Sequence, residues 1–169
     1  MLMIASGRAF SQDIPRFELT KDGITPIVIP LENMTAPDIY TKAVNWVKTT
    51  YKTPKEVLKS EIQNEELRID AVATNAFFLK VMLTKYYYTI WYSMTIQVKN
   101  GKMRLLVTSD KITLANGTRA DFGFNDFYTS SGELRSRVKD AKPQIEQEFN
   151  SLATSLYQYI KTDKKTTDW

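Results

Sequence analysis

The 169-residue chain contains no cysteine and no histidine. That excludes thiol nucleophiles, disulfides, Cys/His zinc sites, a lipid anchor on cysteine and the imidazole base of a hydrolytic triad. The six methionines are scattered, so no soft-metal stripe emerges, and no metal or cofactor site is expected. No segment approaches the ~20 consecutive apolar residues that a membrane-spanning helix needs. A large excess of one charge is missing too: 23 Lys and Arg face 19 Asp and Glu along the same segments, a formal net charge of +4. Nucleic-acid binders gather such an excess on one face, so the composition argues against that partner class. Residues 163–169, where Lys164 and Lys165 lie between Asp163 and Asp168, read as a polar, solvated tail.

The hydrophobic share of 43% and charged share of 25% are those of a folded globular chain, and the length suits one core rather than two. One α+β domain over residues 12–162 is expected. Ahead of it, Met1–Ala5 form a short apolar run, and the small residues Ala9 and Ser11 precede Gln12. This order matches a signal-peptidase site, although the run is short and has no basic start. Residues 1–11 are therefore read as the remnant of a signal peptide, with an ordinary chain end as the alternative. The first reading makes the protein exported, periplasmic or associated with the outer membrane.

Residues 16–19 and 24–31 lean towards strand, separated by the turn residues Lys21, Asp22 and Gly23. Thr35, Ala36, Pro37 and Asp38 read as an N-cap and first turn. Ile39, Tyr40, Ala43, Val44, Val47 and Tyr51 follow at helical spacing, with Trp46 beside them. Residues 57–62 and 67–73 read as a hairpin, the second showing strict alternation, and 77–83, 87–99 and 103–114 are further strand segments. Asn100-Gly101 marks a hairpin of type I′, which has positive φ at both central residues. Residues 116–142 form a long loop carrying Phe122, Phe124, Phe127 and Tyr128, and Pro143 opens a last helix with the stripe Ile145, Phe149, Leu152, Leu156, Ile160.

The resulting order, β-α-β(4)-α, places two helices on one face of an antiparallel sheet. The stretch Ala36-Pro37-Asp38-Ile39-Tyr40-Thr41-Lys42-Ala43-Val44-Asn45-Trp46-Val47 resembles the tyrosine-alanine-tryptophan helix of domain of unknown function 4468, a family of exported proteins from Bacteroidota-type bacteria. Val98-Lys99-Asn100-Gly101-Lys102-Met103-Arg104 resembles that family's glycine hairpin, departing from it at Met103, where an aromatic is usual. The resemblance covers roughly residues 24–114. It implies a TATA-binding-protein-like fold and export, and it brings no known activity and no functional residues.

The residues that could carry function are aromatic. Tyr86, Tyr87, Tyr88, Trp91 and Tyr92 stand near Lys80 and Lys85, and could be either a stacking platform or alternating sheet core. With Phe122, Phe124, Phe127 and Tyr128 of the long loop they make up the expected partner-binding surface. The carboxylates Glu61, Glu65, Glu66 and Asp70 gather at the first hairpin, and Asp121 and Asp126 in the loop. An acid–base pair would need them to converge in a pocket; turn and capping roles also explain them. The leading expectation is a non-catalytic binding domain for a protein or envelope component. A structural subunit of an envelope or phage assembly comes second, and a carboxylate-dependent enzyme third.

Overall fold

The structure, a computed structural model, describes residues 14–162; the expected signal-peptide remnant and the polar tail lie outside the described residues. Two short strands, β1 (Leu19–Thr20) and β2 (Gly23–Ile24), form a small hairpin. The main sheet comprises β3 (Ile27–Pro30), β4 (Leu58–Ile62), β5 (Glu66–Val81), β6 (Thr84–Lys99) and β7 (Lys102–Leu114), all antiparallel in the order β3-β7-β6-β5-β4. The meander β4 to β7 is joined to β3 by α1 (Ala36–Thr50) and the short α2 (Pro54–Val57), and α3 (Ala141–Lys161) closes the chain.

The stretch expected as one strand over 24–31 is broken after Ile24. Pro26 has no N–H to give to a ladder, and Thr25 turns back to donate its own N–H to the Glu18 carbonyl at 2.9 Å. The segments expected at 67–73 and 77–83 are instead one strand, β5, whose pairing with β6 slips between Ala73 and Phe77. Asn75 absorbs the irregularity at φ +52, a left-handed conformation that asparagine tolerates better than most residues.

α1 begins as its sequence indicates. The Thr35 hydroxyl accepts from the Asp38 N–H at 3.3 Å and donates to the Asp38 carboxylate at 2.6 Å, a cap of the kind worth about 1 kcal/mol. The Asn100-Gly101 turn supports the same helix end. The Asn100 side-chain oxygen accepts from the Ala36 N–H at 2.8 Å, the Gly101 N–H donates to the Met34 carbonyl at 2.9 Å, and the Gly101 carbonyl accepts from the Leu31 N–H at 2.8 Å. The type I′ expectation is corrected here: Gly101 has φ +78 but Asn100 does not have positive φ. Its side chain is committed to α1.

The core lies between the helices and one face of the sheet. Met94, Ile96 and Val98 of β6 face Val107, Leu105 and Met103 of β7 across the ladder, and all six are buried. Above them sit Ile39, Trp46 and Val47 of α1 with Ile145, Phe149 and Leu156 of α3. The Trp46 indole N–H reaches the Ser155 hydroxyl at 3.2 Å, which ties the two helices together. Trp46 therefore sits inside the core.

Candidate functional site

Because both helices occupy one face, the strand residues that alternate with the core line an uncovered face. On β5 these are Arg68, Asp70 and Val72; their partners on β6 are Thr95, Ser93 and Trp91. Trp91 is 39% and Val72 38% exposed, an apolar pair directly opposite each other at the end of this row. Across the ladder on the other side, Lys111 brings its ammonium to 4.1 Å from the Trp91 ring centroid, a cation–π contact. The β6–β7 register shifts at this point, leaving Asp110 as an extra residue between Ser109 and Lys111. The irregularity lets Asp110 and Lys111, adjacent in sequence, both reach this face.

Beside Trp91, buried Ser93 is the hub of a polar network. Its hydroxyl lies 2.8 Å from Asp70 and 3.3 Å from Asp110, and it accepts from the Arg68 guanidinium at 3.0 Å. One hydroxyl proton serves one carboxylate at a time. Arg68 Nε also bonds Asp70 at 3.2 Å, so one cation and two anions share a single serine. The alternation of Arg68 and Asp70 with buried neighbours is legible in the sequence. The slip that brings in Asp110 is not.

The far end of the β5–β6 hairpin is a second exposed feature. Val81 pairs with Thr84, leaving Met82-Leu83 as a two-residue turn in which Met82 has φ +54. Met82 is 91% and Leu83 92% exposed, and Val81, Tyr86 and Tyr87 behind them are exposed as well. Sequence reasoning missed this turn because neither residue is a turn former.

The nine aromatics expected to share a partner surface are divided. Tyr86, Tyr87 and Trp91 are exposed. Tyr88 is half-buried, stacked on Phe77 at 5.0 Å and edge-on to Phe122. Tyr92 is buried against Phe149, its hydroxyl 3.1 Å from that of Tyr51. Burial, with the neighbouring Tyr51 phenol and the Glu148 charge adding to it, holds the Tyr92 phenol protonated far above the ordinary tyrosine range. Burial also raises Tyr51, against the lowering effect of its bond to Tyr92.

The loop half of the expected surface is corrected. Phe124 and Phe127 are buried, Phe122 and Tyr128 are half-buried, and Phe127 packs against Phe77, Phe122 and Phe124. Residues 116–142 fold back over the core through two 3₁₀ turns, Phe124–Phe127 and Ser136–Val138, because four large rings gain more from burial than from water. The Tyr128 hydroxyl donates to the Leu19 carbonyl, which fastens the segment to β1.

Glu61 and Glu66 of the first hairpin and Asp126 of the loop are each held by a separate donor. Glu61 accepts from the Tyr40 hydroxyl at 3.1 Å, Glu66 from the Gln97 amide at 2.8 Å, and Asp126 from the Gly123 N–H at 2.8 Å. Among the described residues no group of three or more acidic side chains is placed to hold a metal ion. A cavity of about 720 Å³ opens between the β1–β2 turn, the end of β7 and residues 119–126. Its lining mixes Asp22, Asp121 and Asp126 with Lys21 and Arg119.

A five-stranded antiparallel sheet with two long helices on one face and a bare second face defines a TBP-like α+β protein. The profile of the family described as "Domain of unknown function (DUF4468) with TBP-like fold" matches residues 27–112, and the chain belongs to that family. Among solved structures, it is similar to a DUF4468 family protein from Bacteroides ovatus ATCC 8483, at 12% identity and a TM-score of 0.59, over 96% of this chain and 99% of that one. It is also similar to a TBP-like protein from Parabacteroides distasonis ATCC 8503, at 15% identity and a TM-score of 0.56, over 82% of this chain and 92% of that one. These likenesses establish the fold. No curated protein matches the chain.

Proposed function

We propose that this chain is a non-catalytic binding domain, exported to the periplasm or the outer-membrane surface, that recognises a protein or another envelope component through its uncovered sheet face. The observation that supports this reading is the patch at Trp91: a half-exposed indole beside Val72 and Lys111, next to the ordered Arg68–Asp70–Ser93–Asp110 network. A tryptophan flanked by apolar and charged groups is the composition of an interface anchor. DNA binding on a TBP-like sheet would require a basic concave face and apolar wedges. Here Arg68 is matched by Asp70 and the nearby Asp110, and fold alone does not transfer function. The order of apolar, small and polar residues over 1–12 supports the export part.

The test places a photo-crosslinking amino acid at Val72 or Thr95, with Gln147 on the exposed side of α3 as the control, in the organism's own cells. Adducts from the two sheet positions but not from Gln147 are expected, and Trp91→Ala is expected to remove them. Equal adducts from both surfaces, or none from the sheet, would overturn the reading. Adducts at multiples of the chain's own mass would favour the structural-subunit alternative instead. For export, the cell-derived protein is expected to begin at Gln12; retention of Met1 would refute it.

A further inference from the structure

The end of the β5–β6 hairpin carries its own signal. A two-residue hairpin turn whose first residue has positive φ ordinarily selects glycine there. Here the position holds Met82, which is both conformationally disfavoured and 91% exposed, next to Leu83 at 92%. Among the described residues neither side chain joins the core. The ribbon behind the turn sorts by height, at roughly 3.4 Å per residue along each strand. Val81 and Thr84 come first, then the cross-strand pair Lys80 and Lys85, then Leu79 with Tyr86 and Phe78 with Tyr87. Lysines placed directly opposite one another repel, and Lys85 settles 4.3 Å from the centre of the Phe78 ring on its own face. Residues 74–89 contain no Asp or Glu at all.

An apolar tip, a collar of cations within roughly 7 Å of it and tyrosines just behind are the order of groups met on entering an anionic bilayer surface. Acyl chains accept Val81, Met82 and Leu83, phosphates relieve the Lys80–Lys85 repulsion, and phenols suit the headgroup level. An apolar pocket on a protein would take the tip equally well. It would give no reason for the carboxylate-free, twice-cationic collar. We propose that the Met82-Leu83 hairpin end docks on anionic phospholipid, inserting its tip to interfacial depth. None of the helices among the described residues is long and apolar enough to span a membrane, so this would be surface attachment by a hairpin. The proposal goes beyond the open-face reading and is independent of it: Leu83, in the turn that leads into β6, is eight residues from Trp91, roughly 25 Å along the ribbon.

The test is co-sedimentation of the full chain with vesicles of phosphatidylcholine plus phosphatidylglycerol, against phosphatidylcholine alone. Binding to the anionic vesicles that weakens with salt is expected, with partitioning reduced about tenfold or more by Met82→Ser/Leu83→Ser. Lys80→Gln/Lys85→Gln is expected to remove the preference for phosphatidylglycerol. Because the chain has no cysteine, Leu83→Cys gives a unique site for an environment-sensitive dye, expected to shift to the blue on anionic vesicles while the same dye at Ser151→Cys on α3 does not. Denaturation midpoints matched to the parent confirm that the variants are folded. Absence of binding, binding that survives the tip substitutions, or a dye shift driven by protein concentration without lipid would each overturn the proposal; the last would assign the tip to a second copy.

Discussion

Phe127→Ala is expected to lower the free energy of unfolding by about 3–5 kcal/mol. Phe127 is 1% exposed and meets three rings, Phe77 at 6.0 Å, Phe122 at 6.0 Å and Phe124 at 5.8 Å, with Phe77 itself stacked on Tyr88. Truncation opens a cavity against Phe77, which is fixed on β5 and stacked on Tyr88 of β6, so that wall of the site does not collapse into it. Arg135 also donates its N–H to the Phe127 carbonyl at 2.8 Å, which closes the segment on itself. A docking arm would tolerate the change, and even removal of residues 116–142, without loss of fold. The measurement is urea denaturation followed by circular dichroism, with exposed Asp121→Ala as the control. A loss below about 1 kcal/mol for Phe127→Ala would show that the segment is an accessory to the core and not part of it.

That outcome bears on what the sequence can disclose. The Thr35 cap, the apolar face of α1 and the inward alternation of Met94, Ile96 and Val98 are all local patterns, set by residues within a few positions of one another, and they are legible. The Tyr86–Tyr92 run is legible only in part. Alternation carried on from Met94, Ile96 and Val98 turns Tyr88 and Tyr92 inward and Tyr87 and Trp91 outward, but the β5 irregularity at Ala73–Phe77 and the β7 slip at Asp110, which decide what those rings meet, are not legible. A one-residue change in register moves every side chain to the other face. Aromatics in a segment with no period of its own, such as Phe122 and Phe127, carry no directional signal at all. Their burial is decided by Phe77 and Tyr88, on distant strands of the sheet. The Met82-Leu83 turn was hidden for the opposite reason: it breaks the turn chemistry that would mark it. Places where local rules fail without a compensating contact are where function is to be sought, and the hairpin end is such a place.

Asn150→Ala is expected to cost about 2–4 kcal/mol, through two buried backbone groups left without partners. Asn150 is 8% exposed; its side-chain oxygen accepts from the Phe17 N–H at 2.7 Å and its amide donates to the Phe17 carbonyl at 3.1 Å. One turn earlier on α3, Glu146 accepts from the Leu19 N–H at 2.8 Å. The spacing matches: four helical residues rise about 6 Å, and two extended residues cover about 6.7 Å. Two α3 side chains thus serve as a surrogate strand for residues 17–19, seating Phe17 and Leu19 in the core. Asn150→Asp should retain the bond to the Phe17 N–H but sets an oxygen against the Phe17 carbonyl, so it is expected not to restore stability. Hydrogen exchange resolves where the loss falls. The amides of Phe17 and Leu19 are expected to exchange markedly faster in Asn150→Ala, ahead of Met94 and Ile96 in the central strand, as a local release of the amino-terminal segment. Unchanged protection at Phe17 together with an unchanged denaturation midpoint would show that the segment is held by the burial of its side chains alone.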